Sequence, residues 1–208
     1  MATHMRFALD HGDTDVIMGK LEDAATYDAL LEAGARGKLA IGSIHCGDAA
    51  AVFGRLMDSG VAVHRLAASI RLVQAQRLLR RLCEDCRAPK RPTRAELDYF
   101  GLDEAFLARV GLDFLAGESI VFFESAGCSY CDGSGYVQGA PGWSTRDRVP
   151  ACETLVTTPA IADLLRQGAP LDAIRQAAWA EGTWTMRESA LRWALLGVTS
   201  LTEVVRVT

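Results

Sequence analysis

Two pairs of cysteines, each with two residues between its members, constrain this chain more than any other feature. Cys83-Glu-Asp-Cys86 and Cys128-Ser-Tyr-Cys131 form a CxxC…CxxC pattern across a long intervening segment. Two-residue spacing lets both thiolates of a pair face one ion, and two pairs complete the closed tetrahedral shell that is typical of structural zinc. Disulfide or redox pairs and an iron–sulfur cluster are the alternatives. The small residues of Asp132–Tyr136 predict a tight turn beside the sulfurs.

Composition indicates a globular protein without a membrane span. The 208 residues are 50% hydrophobic and 23% charged, which suffices for one good core or two small ones. No apolar stretch approaches the roughly 20 residues of a transmembrane helix. Charged residues scattered through Met1–Gly19 argue against a signal peptide, so the cytoplasm is the expected location.

Charge gives little reason to expect a nucleic acid as partner. The net charge is −4, so the chain as a whole does not attract a polyanion. One local basic cluster stands against this: Arg71, Arg77, Arg80, Arg81 and Arg87. Aromatic residues do not alternate with these arginines as a stacking surface for bases requires, and no nucleic acid is predicted.

The first part of the chain predicts an α/β arrangement. Asp15–Met18 and Leu39–Ile44 have strand character, and Ala24–Ala35 between them favours a helix. Strands joined by a crossover helix are parallel. Two strands make a poor sheet, so the chain is expected to begin inside a domain.

The remainder is predicted to be mainly helical around the cysteine module. We expect one helix from about Asp48 to Asp58 and a second from about Leu66 to Leu82. A strand is predicted at Ser119–Phe123, and the glycine-rich segment Asp132–Pro150 is predicted to be a loop with at most one hairpin. Further helices are predicted at Arg94–Phe100, Asp103–Val110, Ala160–Gln167, Leu171–Glu181, Thr185–Leu196 and Ser200–Arg206.

Three other features were considered for chemistry. His45 lies where a strand ends and a helix begins, and it is interpreted equally well as a phosphate or water contact and as part of a helix cap. Cys46 and Cys152 are interpreted as packing thiols. A phosphate-binding P-loop is missing from the sequence, because Gly34–Leu39 has the wrong spacing and is predicted to end a helix.

In order, several segments resemble the type II secretion and type IV pilus assembly ATPases, the family of general secretion pathway protein E. Asp13–Met18 and Gly19–Asp23 resemble its Walker B strand and aspartate box, and Ser43–Ala49 resembles its histidine box. The other matching segments are Gln76–Leu78, Gly182–Ala190 and Gly197–Arg206.

The resemblance implies cytoplasmic hexamers of RecA-like fold that hydrolyse ATP with magnesium and work with an inner-membrane platform protein. It carries over Asp23, His45 and Arg77 as nucleotide-pocket residues. Lys20 stands where the family has its Walker B glutamate, and Glu22 replaces the aspartate-box arginine. Lysine cannot act as a base toward water at neutral pH unless it is strongly desolvated. Hydrolysis by this chain alone is therefore not expected.

Together these features predict a partial RecA-like P-loop NTPase domain of α/β class, a tetracysteine zinc insertion and a helical C-terminal domain. The predicted ranges are 1–82, 83–157 and 158–208. Two functional hypotheses follow. In the first, the chain is part of a secretion motor that associates with its own copies, with full-length ATPase subunits and with the platform protein. In the second, it is a zinc-stabilised adaptor without nucleotide that binds such partners, peripherally at the inner membrane.

Overall fold

The computed structural model describes residues 2–11, 15–110, 120–139 and 146–208. In chain order the elements are α1 (Ala2–His11), β1 (Val16–Lys20), α2 (Ala24–Ala35), β2 (Leu39–Ser43), α3 (Ala51–Asp58), α4 (Val63–Ser69), β3 (Leu72–Arg80), β4 (Arg87–Lys90), α5 (Arg94–Phe100), α6 (Glu104–Val110), β5 (Phe122–Ser125), β6 (Arg148–Val156), α7 (Pro159–Arg166), α8 (Leu171–Ala180), α9 (Met186–Leu195) and α10 (Leu201–Val207). They divide into two compact units. The first unit comprises Met1–Ala75 and Glu153–Trp184, and the second comprises Gln76–Cys152 and Thr185–Thr208.

The first unit contains the predicted parallel strand-helix-strand arrangement. Strands β1 and β2 pair in parallel, from Val16 opposite Leu39 to Lys20 opposite Ser43, and α2 connects them. The helix has the predicted bounds. The α/β interpretation of this region is confirmed.

Local sequence signals fix both ends of α2. At its start, the Asp23 carboxylate accepts a hydrogen bond of 2.8 Å from the Thr26 backbone N–H. At its end, Gly37 has a φ of +80°, and the Lys38 N–H donates to the Ala33 carbonyl at 3.1 Å. This left-handed glycine with its reaching-back N–H is a Schellman motif, so the prediction that Gly34–Leu39 ends a helix is confirmed.

The two faces of the β1–β2 sheet differ sharply. Ile17 on one face packs with Ala29 and Ala33 of α2 and with Met5 of α1. The opposite face carries Val16, Met18, Leu39 and Ile41, all of them exposed, with Met18 at 70%. Apolar side chains at alternate positions of two paired strands form a continuous stripe. This set of four residues is called the open face.

The main core of the first unit lies among four helices. Phe53 of α3 and Ala67 of α4 pack with Ile161 and Leu165 of α7 and with Ile174 of α8. All five are buried. The helices predicted at Ala160–Gln167 and Leu171–Glu181 correspond to α7 and α8, and both belong to the same unit as the parallel strands.

The second unit surrounds a short antiparallel pair. Strands β4 and β5 run from Arg87 opposite Ser125 to Lys90 opposite Phe122, and Phe122 is completely buried. Helices α5, α6, α9 and α10 belong to this unit. The contact-based units are therefore discontinuous along the chain, whereas the three consecutive predicted ranges are not. Those ranges remain a prediction.

The prediction of one long helix from Leu66 to Leu82 is wrong. The segment is the short helix α4 followed by strand β3, because Ile70 at the end of α4 has extended backbone angles (φ −79°, ψ 120°). From there burial alternates over part of the strand. Val73 and Leu79 are buried, Ala75 is half-buried, and Leu72, Gln74 and Leu78 are exposed. Strand β3 pairs with β6. Partners far apart in sequence thus override a leucine- and arginine-rich composition that favours helix.

Strand β6 was not predicted. Its side chains alternate strictly, with Val149, Ala151, Glu153 and Leu155 buried. The predicted glycine-rich loop extended to Pro150, so it included the first three residues of this strand. The middle of that loop, residues 140–145, and the Ser119 start of the predicted strand lie outside the described residues. Within the described ranges, no helix combines the length and apolar character needed to cross a membrane.

Candidate metal centre

The two cysteine pairs meet because their flanking strands pair. Cys83 and Cys86 lie between β3 and β4, and Cys128 and Cys131 follow β5 on a 3-10 turn. Arg87 directly follows Cys86, and its strand partner Ser125 precedes Cys128 by three residues. The strand pairing therefore brings the two cysteine pairs together. All of these residues belong to the second unit. The four sulfurs lie together, as the cysteine spacing predicts, and the metal ion that they would hold stays a prediction.

The sulfur geometry fits a tetrahedral metal ion. The four Sγ atoms lie within 4.8 Å of one another. Cys83 to Cys128 is 3.9 Å, Cys86 to Cys131 is 3.7 Å and Cys128 to Cys131 is 3.7 Å. A zinc ion with Zn–S bonds of about 2.3 Å holds its sulfurs about 3.8 Å apart. All four cysteines are free thiols, and their separations exceed a disulfide bond by more than 1 Å.

Backbone N–H groups support the sulfur of Cys131. The Cys128 N–H donates to it at 3.3 Å and the Gly135 N–H at 3.2 Å. Gly135 has a φ of +73°, and a Cβ there would lie 2.3 Å from the Ser125 Cβ. Only glycine fits this close approach. The turn predicted at Asp132–Tyr136 is confirmed, including its contact with a cysteine sulfur.

The surroundings shift the pKa values of Cys83, Cys86 and Cys131 in different directions. Burial raises the pKa of Cys131, but the N–H donors of Cys128 and Gly135 and the neighbouring thiols outweigh it and lower that pKa to about 6. Burial and the adjacent thiols raise the pKa of Cys86 to about 12, and burial also raises that of Cys83. The N–H donors therefore favour the thiolate form of Cys131. A bound divalent metal supplies the charge that stabilises the others as thiolates.

Two of the predicted nucleotide residues lie at the same edge of the parallel sheet. Asp23 follows β1 and His45 follows β2, and the carboxyl ends of these strands are in register at Lys20 and Ser43. Both side chains are exposed. This is the edge at which open α/β sheets bind ligands.

Other contacts already engage that edge. Hydrogen bonds from the backbone N–H and side chain of Thr26 lower the pKa of Asp23, which serves as a helix cap. Lys20 forms a 2.7 Å ion pair with Glu22. Arg55 Nη1 donates to the carbonyl oxygen of His45 at 3.2 Å.

The loop after His45 is held by acidic side chains. The Asp48 carboxylate accepts from the Ala51 N–H at 2.7 Å and pairs with Arg175 of α8 at 3.0 Å. The buried Glu153 carboxylate accepts from the Ala49 N–H at 2.9 Å. Asp48 therefore accepts from the first N–H of α3, but the N-cap position of the helix is Ala50, which makes no side-chain cap bond. The two interpretations of the His45 side chain remain predictions.

The third predicted nucleotide residue, Arg77, belongs to the other unit. Arg77 is exposed on β3 and belongs to the second unit, whereas Asp23 and His45 belong to the first. Cys46 and Cys152 are half-buried and form no disulfide bond, and burial raises the pKa of both thiols.

Sequence reasoning missed a buried ion cluster beside the cysteines. The Glu203 carboxylate of α10 is fully buried and accepts from Arg80 Nη2 and from Arg206 Nη2, each at 2.6 Å. Arg80 also lies 3.9 Å above the ring of Tyr136. The arginine cluster had been considered only as a possible surface for nucleic acid. No local signal connects Arg80 with a glutamate 123 positions away.

Comparison with known proteins identifies relatives along nearly the whole chain. The family profile "Type II/IV secretion system protein" matches residues 1–206. The type IV pilus assembly ATPase PilB of Acinetobacter baylyi is 34% identical over 201 residues, which is 94% of this chain and 31% of that protein. PilB of Thermus thermophilus is 32% identical over 93% of this chain and 20% of its own length. The chain thus spans about a fifth to a third of these relatives.

Solved structures share the fold at low sequence identity. The Legionella pneumophila ATPase DotB has a TM-score of 0.59 at 19% identity, covering 99% of this chain and 41% of that one. The pilus retraction motor PilT with bound ADP has the same TM-score and identity, covering 99% and 42%. These likenesses confirm an α/β fold of the kind found in secretion and pilus ATPases. By the extent of the profile match, this chain belongs to the type II/IV secretion system protein family.

Proposed function

We propose that this chain is the C-terminal portion of a type II secretion or type IV pilus assembly ATPase, the motor that couples ATP hydrolysis to assembly of a pilus or pseudopilus. The alignment over 93–94% of the chain with relatives named as such ATPases carries this proposal. In this function the first unit is part of a RecA-like nucleotide domain. The chain works in the cytoplasm and reaches the inner membrane through partners.

The nucleotide edge supports a contributing role and not independent hydrolysis. Asp23 and His45 follow the carboxyl ends of adjacent parallel strands, where a phosphate or its attacking water would lie. The residue in the place of the Walker B glutamate is Lys20, and its ammonium group is paired with Glu22. An ammonium group neither accepts a proton nor binds magnesium. We therefore expect hydrolysis only where another polypeptide region supplies the P-loop and the base.

The open face supports association with further parts of a RecA-like core. Parallel sheets are normally covered on both faces, and only one face of β1–β2 is covered within the described residues. The proposed cover is the P-loop half of such a domain, from an ATPase subunit. Copies of the chain and the inner-membrane platform protein are the further proposed partners.

The four-thiolate site is proposed to hold structural zinc. Its shell has four protein ligands and no open position for substrate, which favours stability over catalysis. The residues that would bind the ion are Cys83, Cys86, Cys128 and Cys131. Zinc would fix the relative positions of the two cysteine pairs.

A second candidate is a non-enzymatic, zinc-stabilised adaptor that binds intact ATPase subunits or platform proteins. The ion pair of Lys20 with Glu22 favours it, because this pair occupies the segment in which the family has its catalytic glutamate. The two candidates differ in whether the chain contributes to a nucleotide site.

Calorimetric titration of ATP with magnesium tests the choice. The titration uses the zinc-loaded chain mixed with an intact type IV pilus assembly ATPase, and compares wild type with His45→Ala and with His64→Ala as a control of the same residue type. The motor function is supported if the wild-type chain adds to the ATP binding of the mixture, if His64→Ala does so equally, and if His45→Ala does not. Identical titrations for all three, with a complex still formed, support the adaptor. Failure to form any complex contradicts both.

A further inference from the structure

Two consecutive residues before α10, Gly197 and Val198, accept hydrogen bonds from residues that flank the first cysteine pair. Arg87 Nη1 donates to the Gly197 carbonyl at 2.6 Å, and the Leu82 N–H donates to the Val198 carbonyl at 2.8 Å. Leu82 directly precedes Cys83, and Arg87 directly follows Cys86. The approach to α10 is therefore fixed by residues adjacent to two of the metal ligands.

The second cysteine pair reaches the same helix through Tyr136. The Tyr136 hydroxyl and Ser200 Oγ lie 2.9 Å apart in a buried hydrogen bond, and Ser200 is the N-cap of α10. One residue before Tyr136, the Gly135 N–H donates to the sulfur of Cys131 and the Gly135 carbonyl accepts from the Cys83 N–H at 3.0 Å. A ligand sulfur and the helix cap are thus linked through two adjacent residues.

Arg80 of β3 also binds α10, through the Glu203 carboxylate. Arg80 donates to Glu203 through its backbone N–H at 3.0 Å and through its guanidinium, and the same guanidinium lies over Tyr136. Thr199 Oγ1 donates to the Arg80 carbonyl at 2.8 Å. A helix of seven residues is not stable by itself. Its position therefore depends on these contacts.

We propose that metal binding by the four cysteines and docking of α10 are thermodynamically coupled through Tyr136 and the Arg80–Glu203 pair. This inference rests on the proposed zinc site. A bound ion fixes Leu82, Gly135 and Arg87 in the positions that receive residues 197–200. By reciprocity, weakening the docked helix must weaken the metal site by the same factor. In this arrangement Tyr136 and Glu203 are positioning residues.

Zinc affinity of the intact chain, measured by competition with a chromophoric chelator, tests the coupling. The variants are Tyr136→Phe and Glu203→Gln. Their controls are Tyr130→Phe and Glu104→Gln. Tyr130 lies between Cys128 and Cys131 and is 76% exposed, and Glu104 is exposed on α6. Loss of one coupled hydrogen bond corresponds to about a fivefold weaker affinity. We expect at least this change for the two positioning variants and none for the controls.

Hydrogen exchange supplies the reverse measurement. Removal of zinc from the wild type is expected to accelerate exchange in residues 197–207 while α7 and α8 keep their protection, which also shows that the first unit remains folded. One zinc per chain with equal affinities in all variants, or with unchanged exchange in α10, would overturn the coupling and leave the metal site standing. Equal loss of protection in both units would overturn it as well. No zinc binding by the wild type would overturn the site and the coupling together.

Discussion

The two units differ in how completely their functional residues are enclosed. In the second unit the cysteines lie within hydrogen-bond distance of one another and of backbone donors, and Glu203 is buried between two arginines. In the first unit Asp23 and His45 are exposed, and the open face has no cover within the described residues. The second unit has a full set of four candidate metal ligands, whereas the first has two candidate nucleotide residues at one sheet edge and a sheet face that is uncovered within the described residues.

We expect the enclosed cysteines of the second unit to contribute to stability and the exposed residues of the first unit to serve binding. A closed tetrahedral shell adds its binding free energy to folding and leaves no position for a substrate. A sheet edge with exposed polar side chains and an adjacent apolar face is suited to completion by another part of a protein. The variants below should therefore affect stability strongly in the second unit and weakly on the open face of the first.

Removal of a metal ligand is expected to have the largest effect. Cys83→Ser leaves three thiols for a four-ligand site, and we expect the free energy of unfolding of the second unit to fall by on the order of 5 kcal/mol or more. Chemical denaturation of zinc-loaded protein, followed by far-ultraviolet circular dichroism, measures the loss. Cys46→Ser is the matched control, because Cys46 lies outside the cluster. Equal loss in both variants would contradict a metal centre at Cys83.

Gly135→Ala is expected to cost about 3 kcal/mol, because the added Cβ would lie 2.3 Å from the Ser125 Cβ at a φ of +73°. Gly101→Ala is the control for backbone strain alone. Gly101 has a φ of +62°, and a Cβ there meets nothing within 4 Å, so we expect only about 1 kcal/mol. Urea unfolding of both variants gives the comparison. Equal costs would show that the close approach at Gly135 does not constrain the fold.

Glu203 is expected to contribute about 2 kcal/mol at neutral pH. Burial raises its pKa, but hydrogen bonds from Arg206 and Arg80 outweigh this and lower the pKa from its ordinary value of 4.5 to about 2. A lowered folded-state pKa contributes stability that is fully present above the unfolded-state pKa and is lost as pH falls from there toward 2. The exposed arginine partners reduce the contribution below the full pKa difference.

Urea unfolding of wild type and Glu203→Gln between pH 7 and pH 3 tests this pH dependence. The difference in unfolding free energy between the two proteins should be constant from pH 7 to about pH 5 and should shrink below about pH 4.5. Comparing the two proteins at each pH removes effects that they share, including loss of metal in acid. A difference that grows as pH falls would contradict the ion cluster.

The smallest stability change is expected on the open face. Met18→Ser should alter unfolding free energy by less than about 0.5 kcal/mol, because Met18 is 70% exposed. Its neighbour Ile17 is buried, and Ile17→Ser should cost about 3 kcal/mol. Sedimentation with an intact type IV pilus assembly ATPase should show weaker association for Met18→Ser. Unchanged association would remove the open face from the proposed interface.

Local sequence signals predicted the parts of the fold that depend on neighbouring residues. The bounds of α2 follow from the cap at Asp23 and the glycine at Gly37, and the cysteine spacing predicted the cluster. Strand β3 was predicted as helix because its strand partner β6 lies far along the chain. The contact of Arg80 with Glu203 was missed for the same reason. Pairings between distant residues leave little trace in a single sequence.

Metal content measured by mass spectrometry, together with the melting temperature of the same samples, tests the central claim most directly. The samples are wild type, Cys83→Ser and Cys46→Ser purified under reducing conditions. A single four-thiolate site predicts about one zinc per chain in wild type and in Cys46→Ser. Cys83→Ser should contain far less zinc and melt at a lower temperature. Metal-free wild type that melts at the same temperature with and without added zinc would contradict the metal centre on which the contrast between the two units depends.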